Sequence, residues 1–322
     1  MNRFKLGFMA RYVASRLLSL LPILFGVSVV TFLLMRLVPG DPVIAMLGLE
    51  ADQAAISAMR LRLALDDPLP LQYLHWISRV ITGDFGRSVQ GGREVLPLLL
   101  GALGPTALLA TAALIISLLI AIPAGIVAAT RRNSAADYGA SLIALFGLSM
   151  PSFWLGILLI LSLSIAYPIF PASGYVSPLV DPLAHLRHLT LPALTLGAAL
   201  AAATMRMTRA TMLEILRSDF VRTARAKGLG PRAVVWGHAL ANARIPIVTL
   251  LGIQLGQLLG GVVITETVFS WPGIGKLTVD AIFARDYPVV QGAVLLTATL
   301  FVTINLLTDL LYTLLDPRIR LA

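Results

Sequence analysis

The chain has 322 residues, of which 57% are hydrophobic and only 13% charged, with a formal net charge of +9 and no cysteine. Globular domains carry nearer ~25% charged residues, so this composition excludes an ordinary soluble fold and points to an integral membrane protein. Disulfides and thiolate metal sites are excluded as well, and the basic residues collect in short loops beside apolar runs rather than in a stripe with interleaved aromatics, which argues against nucleic-acid binding.

Leu17 to Met35 is the first apolar run, preceded by Arg3, Lys5, Arg11 and Arg16. At about 20 residues it exceeds a signal-peptide core, and no small-x-small cleavage motif follows. It reads as a retained span with its N-terminus in the cytoplasm, ended by Pro39-Gly40-Asp41-Pro42, since proline cannot continue the hydrogen-bond ladder. Residues 39–102 mix acids and bases without a basic excess, and so are assigned to the outside as a partly helical segment. Thr106 to Ala129 is the second span, and Arg131 and Arg132 mark a cytoplasmic loop. Ser141 to Ala166 is the third, with Pro151 as a kink. Tyr167–Leu189 is an external loop, and Thr190 to Met205 is the fourth span.

Residues 206–246 are the most basic part of the chain. Arg206, Arg209, Arg217, Arg222, Arg225, Lys227, Arg232 and Arg244 stand against Glu214 and Asp219, a strong positive-inside signal. Met212–Lys227 has a helical apolar stripe of Leu213, Leu216, Phe220 and Ala224. Gly228 suits a helix C-terminus and Pro231 suits the first turn of a second helix reaching about Ala243, with Pro246 opening the next span. Charge alone explains which side the loop faces. A helix–turn–helix with small residues at its bend suits docking to a cytosolic partner. Ile247 to Phe269 is the fifth span, Ser270–Pro288 an external loop and Val289 to Leu311 the sixth, ending in cytoplasmic Asp316-Pro317-Arg318-Ile319-Arg320. The expected architecture is all-α, with six transmembrane helices and both termini inside.

The fifth span carries Gly252, Gly256 and Gly260 at four-residue spacing, which lets another backbone approach closely. Gln254 and Gln257 are costly against lipid, and therefore face either neighbouring helices or a polar translocation path; Ser149 and Met150 are further path candidates. Arg36, Glu266 and Asp309 fall near span ends, where headgroups accommodate charge. The absence of a mid-membrane ionisable residue argues against a self-powered carrier, and no catalytic constellation suggests a membrane enzyme. Gly273-Ile274-Gly275-Lys276 lacks the spacing of a phosphate-binding loop, since Ser270 and Leu277 stand at positions the motif reserves for Gly and Ser/Thr. His185 and His188 are three apart but have no recognisable third ligand, so no metal site is assigned.

Several of these segments together resemble the permease subunits of ATP-binding-cassette (ABC) importers, in their dipeptide/oligopeptide/nickel branch. The match covers nearly the whole chain. It includes Pro39–Pro42, Gly83-Asp84-Phe85-Gly86, Ser149–Trp154, Met205–Arg209, Thr265–Gly273, Arg285–Gly292 and Asp316–Arg320, and it centres on Arg222-Thr223-Ala224-Arg225-Ala226-Lys227-Gly228, His238–Asn242 and Ile245-Pro246. The last group is similar to the so-called EAA loop, in which Ala224, Gly228 and Leu240 keep the general pattern while Arg222 replaces its leading Glu and Ala241 its later Pro.

The resemblance implies a type I importer permease of the bacterial inner membrane, with an N-terminal tail and first span (1–38), an external segment (39–102), a core of spans two to six (103–316) and a tail (317–322). It implies a second homologous permease, two cytosolic ATPases that dock on 206–246, and an external binding protein. This chain would be non-catalytic and bind no cofactor, with ATP and Mg²⁺ held by the ATPases. Arg222 to Gly228 and Leu240 would couple ATP binding to the spans. Di- or oligopeptides would be the cargo, with nickel or another metal chelate, or glutathione, as alternatives.

Overall fold

A computed structural model describes the backbone of residues 2–37, 43, 52–62 and 66–315, and side chains within these except in a few stretches, including residues 257 and 259–261. The expected motifs at Pro39–Pro42 and Asp316–Arg320, and the surroundings of Gln257 and Gly260, lie outside the described residues. The helices are α1 (Asn2–Leu37), α2 (Gln53–Arg62), α3 (Leu69–Ile81), α4 (Val95–Thr130), α5 (Ala135–Ser149), α6 (Ser152–Ile160), α7 (Pro182–Ile215), α8 (Asp219–Ala226), α9 (Leu240–Val268), α10 (Ile274–Phe283) and α11 (Tyr287–Leu315). A π-helical turn, Leu161–Ala166, extends α6, and a second, Ala233–Ala239, leads into α9. Among the described residues four helices are long and apolar enough to cross a membrane, or five if α5 and α6 with its π-helical extension count as one broken span, while Leu18–Leu34 is an apolar stretch within α1.

The apolar runs predict where helices lie better than where they stop. α4 begins at Val95 rather than Thr106, and Pro105 lies inside it. α7 begins at Pro182 rather than Thr190, because Asp181 Oδ1 accepts the Leu183 and Ala184 N–H groups at 3.0 Å and Pro182 occupies the first turn. It also runs past Met205 to Ile215, since Arg206 and Arg209 are good helix formers and charge does not end a helix. The expected third span is not a kinked rod. α5 and the α6 arm meet at 102°, because Met150 is extended and Pro151 starts a new helix. Pro246 opens nothing, for α9 runs through it. The loop 270–288 holds α10.

The chain packs as two units. One comprises residues 1–104 and 273–303. In it α3 lies on α1, where buried Phe32 meets Tyr73 and Trp76 with ring centroids 5.6 and 5.8 Å away and the Ser28 hydroxyl meets Tyr73 Oη at 2.7 Å. Further on, Val95, Leu99, Ala281, Val289, Val290 and Ala293 form a core. Ser88 donates to the buried Asp286 carboxylate, which also accepts the Gln90 N–H at 3.4 Å. The two motifs at 83–86 and 285–292 therefore fold as one piece.

The other unit comprises residues 105–272 and 304–322. One cluster is made mostly of alanines, Ala121, Ala128, Ala144, Ala201 and Ala202 with Met205, while larger side chains dominate another, of Leu109, Ala113, Leu189, Ala193, Leu196, Leu258, Val262 and Trp271. Trp271 is fully buried, donates from Nε1 to the Pro105 carbonyl at 2.9 Å, and stands edge-on to Tyr175 at 4.8 Å. Gly252 faces Thr308 so closely that a Cβ on it would lie 1.9 Å from Thr308 Cγ2. Gly252→Leu should therefore lower stability by at least about 1–3 kcal/mol through overpacking, read as an earlier thermal transition in detergent, and Thr308→Ala in the same chain should recover part of the loss.

Candidate functional site

The basic loop is built around a short helix. The sequence predicts one helix over Met212–Lys227, but α7 ends at Ile215, residues 216–218 turn, and α8 starts at Asp219. The break follows from Ser218, whose Oγ donates to the Ile215 carbonyl at 2.6 Å and closes the turn. α8 is amphipathic. Val221 and Ala224 are buried against Val234, with Ile215 beside them, while Phe220, Arg222, Thr223, Arg225, Ala226 and Lys227 are exposed. Arg222 reaches Asp219 at 3.5 Å in a solvent-exposed i,i+3 pair.

Gly228 ends α8 with φ +79°, its N–H bonded to the Arg225 carbonyl and the Leu229 N–H to the Ala224 carbonyl. This left-handed cap is one that L side chains adopt rarely. Pro231 begins the next helical stretch, as its chemistry predicts, and that stretch is π-helical over Ala233–Ala239 before merging with α9. Leu240 is half-buried. It packs on the cluster of Ile126, Ala129, Met212, Ala239, Ala243 and Ile247.

Beside α8 lies a groove of about 450 Å³, with Arg132, Arg217 and Arg225 around an apolar floor that includes Leu213, Leu216 and Val235. The α4–α5 turn that forms one wall is fastened by a buried carboxylate. Asp137 accepts from Arg209 Nε at 2.6 Å and Nη2 at 2.8 Å, and from the Asn133 N–H at 3.0 Å. The Ser134 hydroxyl in turn accepts the Asp137 N–H. Sequence reading passed over Asp137; the local signal was Ser134-x-x-Asp137, a helix-start pattern.

The remaining candidates lie apart from the loop. Gln254 is buried and bonded to α7, accepting from Thr204 Oγ1 at 3.1 Å and donating to the Leu200 carbonyl at 3.2 Å. Ser149 is exposed and Met150 half-buried at the α5–α6 break. Gly256 is buried within α9. Glu266, placed by the sequence near a headgroup, is instead fully buried and accepts from Thr106 Oγ1 at 2.6 Å. His185 and His188 are not in a loop. They sit in the first turns of α7, their Nδ1 atoms engaged by the carbonyls of Val176 and Ala184 at 2.7 and 2.9 Å. Among the described residues no three His, Asp or Glu side chains gather as a metal site.

Residues 121–321 match the family model described as binding-protein-dependent transport system inner membrane component, and residues 9–98 match the N-terminal model of such components. The chain is 44% identical to the di/tripeptide transport system permease protein DppB of Pseudomonas aeruginosa, over 97% of this chain and 99% of that one. It is also 44% identical to the glutathione transport system permease protein GsiC of Escherichia coli K12, over 97% and 99%. Among solved structures, the inward-facing MetNI methionine ABC transporter aligns with a TM-score of 0.58 at 19% identity, covering 69% of this chain and 98% of that chain.

Two substitutions separate the faces of α8. Val221→Asp places a charge in a closed apolar contact and should expose residues 216–231 to limited proteolysis. Arg222→Ala removes only a surface pair and should leave both the proteolytic pattern and the melting temperature unchanged.

Proposed function

The chain belongs to the binding-protein-dependent transport system inner membrane component family, and from that premise we propose that it moves di- and oligopeptides inward across the bacterial cytoplasmic membrane, driven by ATPases that dock on residues 206–246. The family is that of the membrane subunits of ABC importers, multi-pass proteins of the inner membrane that work with ATPase and substrate-binding partners. ATP and Mg²⁺ would be held by the ATPases, and this chain would supply no catalytic group.

The observation that supports the docking role is the shape of α8. A helix anchored by Val221 and Ala224, and stopped by the Gly228 cap, leaves Phe220, Arg222, Thr223 and Lys227 exposed to solvent. An aromatic and several cations on a short rigid helix suit an acidic-rimmed apolar groove on a cytosolic partner. Closure of the ATPases on ATP would pull this helix, and α7, with which it shares the turn at 216–218, would carry the motion into the membrane. A second, homologous permease would complete the translocation path, with Ser149, Met150 and Gln257 as candidates for its lining, while Gln254 is taken up by its bonds to α7. The external segment 39–102 would lie outside that path.

Peptide cargo is supported by the near full-length similarity to a di/tripeptide permease. Glutathione, itself a modified tripeptide, is the alternative favoured by the equal similarity to GsiC. The binding protein selects much of the cargo in such a machine, so mass spectrometry of ligand released from the co-purified binding protein is the direct test. A set of short peptides is the expected result, glutathione alone would shift the reading to that substrate, and a metal chelate without peptide would overturn it.

Gly228→Trp should abolish ATP-dependent uptake with the chain still at normal level in the membrane, because a side chain there strains the cap that sets the end of α8. Uptake that survives this change would disprove the coupling role of the loop.

A further inference from the structure

The alanine-lined contacts among α4, α5 and α7 raise the question of what fixes their register. Ala121, Ala128, Ala144, Ala201 and Ala202 meet there, with Ala124 and Ala140 at the edge. Small residues let helices approach closely in a membrane, where apolar faces gain little by leaving lipid. The same smoothness gives little resistance to a slip along the axis, since one alanine ridge resembles the next. A bidentate arginine–carboxylate pair is the opposite kind of contact, setting both distance and angle.

We propose that Asp137 and Arg209 are a positioning pair for energy coupling, pinning α5 to α7 in one register so that displacement of α8 reaches both helices together. The proposal rests on the reading of residues 206–246 as the ATPase-docking loop. Three observations support it. Asp137 is 3% exposed and its carboxylate binds Arg209 through both oxygens. The same carboxylate holds the Asn133 N–H of the α4–α5 turn, where Asn133 has φ +60°. Arg209 lies six residues before the end of α7, roughly 9 Å along the axis, and α8 follows after a short turn.

Stability alone does not account for such a pair. Replacing a buried ion pair by apolar side chains is often neutral or stabilising, and fixing a register is the best-attested use of buried polar contacts. α7 runs unbroken from Pro182 to Ile215, so it receives motion from α8 as a rod. α5 receives it through the alanine face and this pair.

The test compares Asp137→Asn, Arg209→Lys and the exchange Asp137→Arg with Arg209→Asp, each in the complete importer reconstituted in liposomes with its binding protein. Uptake of radiolabelled dialanine and ATP hydrolysis are measured together. The chain has no cysteine, so with any cysteines of the partner subunits replaced, spin labels at Ile143→Cys on α5 and Arg206→Cys on α7 report that helix pair, whatever the cargo. The single variants are expected to assemble and hydrolyse ATP near the native rate, with uptake per ATP lowered about ten-fold, within the ~5–150-fold range of typical coupling energies. The α5–α7 spin-label distance should stay single-valued through ATP and vanadate trapping in the native chain and broaden in the single variants, and the exchange should restore both readouts in part.

Native uptake per ATP in both single variants, with a single-valued distance, would overturn the proposal. So would Arg209→Lys behaving as native while Asp137→Asn is lost from the membrane, for the pair would then serve folding only. Gly228→Trp separates the two readings: if it abolishes uptake while the Asp137 and Arg209 variants stay coupled, the docking loop stands and the positioning pair falls.

Discussion

Helices in hydrocarbon gain little by turning apolar faces toward one another, because lipid offers the same environment. What holds this chain together is therefore close approach supplemented by a few directional polar bonds, and the details follow from that constraint. Alanine dominates one interface, and Gly252 seats a threonine side chain directly against a backbone. At intervals a polar contact fixes the arrangement: Asp137 to Arg209, Gln254 to Thr204 and Leu200, Glu266 to Thr106, Trp271 to the Pro105 carbonyl. Each has a buried partner, for which an unmade bond is expensive. Each joins residues far apart in the sequence, so these bonds define tertiary placement rather than local structure.

The cytoplasmic loop uses different means. Its short helix is held by two small apolar residues on one side and stopped by a left-handed glycine, which leaves the other side uncommitted. The π-helical turn at Ala233–Ala239 contributes to this arrangement. Such turns reset the phase of the helix that follows. Here Val234 faces α8, while Ala239 and Ala243 face the cluster around Met212. One continuous helical stretch thus serves two packing partners that an unbroken α-helix would meet with a different phase.

Much of this was legible in the sequence. Gly228 and Pro231 carry their own conformational chemistry, and the basic residues mark the loop whatever the fold around them. The helical character of the apolar runs was equally plain. Helix ends were not, because the expected signals were misplaced: Arg206 and Arg209 continue α7, Pro246 lies within α9, and the start of α7 was set by Asp181 and Pro182, in a segment read as a loop. The Asp137–Arg209 pair was not legible either. Its partners are 72 residues apart, and Arg209 taken singly reads as a positive-inside arginine. Glu266 was misread for the same reason, since only the fold brings Thr106 to it.

The 102° turn between α5 and the α6 arm has a consequence for backbone polarity. α5 has 15 residues, a length of roughly 22 Å at 1.5 Å per residue, shorter than the ~30 Å hydrocarbon layer. Its last carbonyls have no intrahelical donors, and Pro151, which has no N–H, cannot serve the Gly147 carbonyl as a continuing helix would. Lipid tails cannot serve it, and irregular backbone persists at membrane depth only where it is buried in protein or meets water. The bend at Ser149 and Met150 therefore has to be served by hydrogen-bonding groups that lipid does not provide, whether from α7, on which Gly147 packs, from another polypeptide or from water.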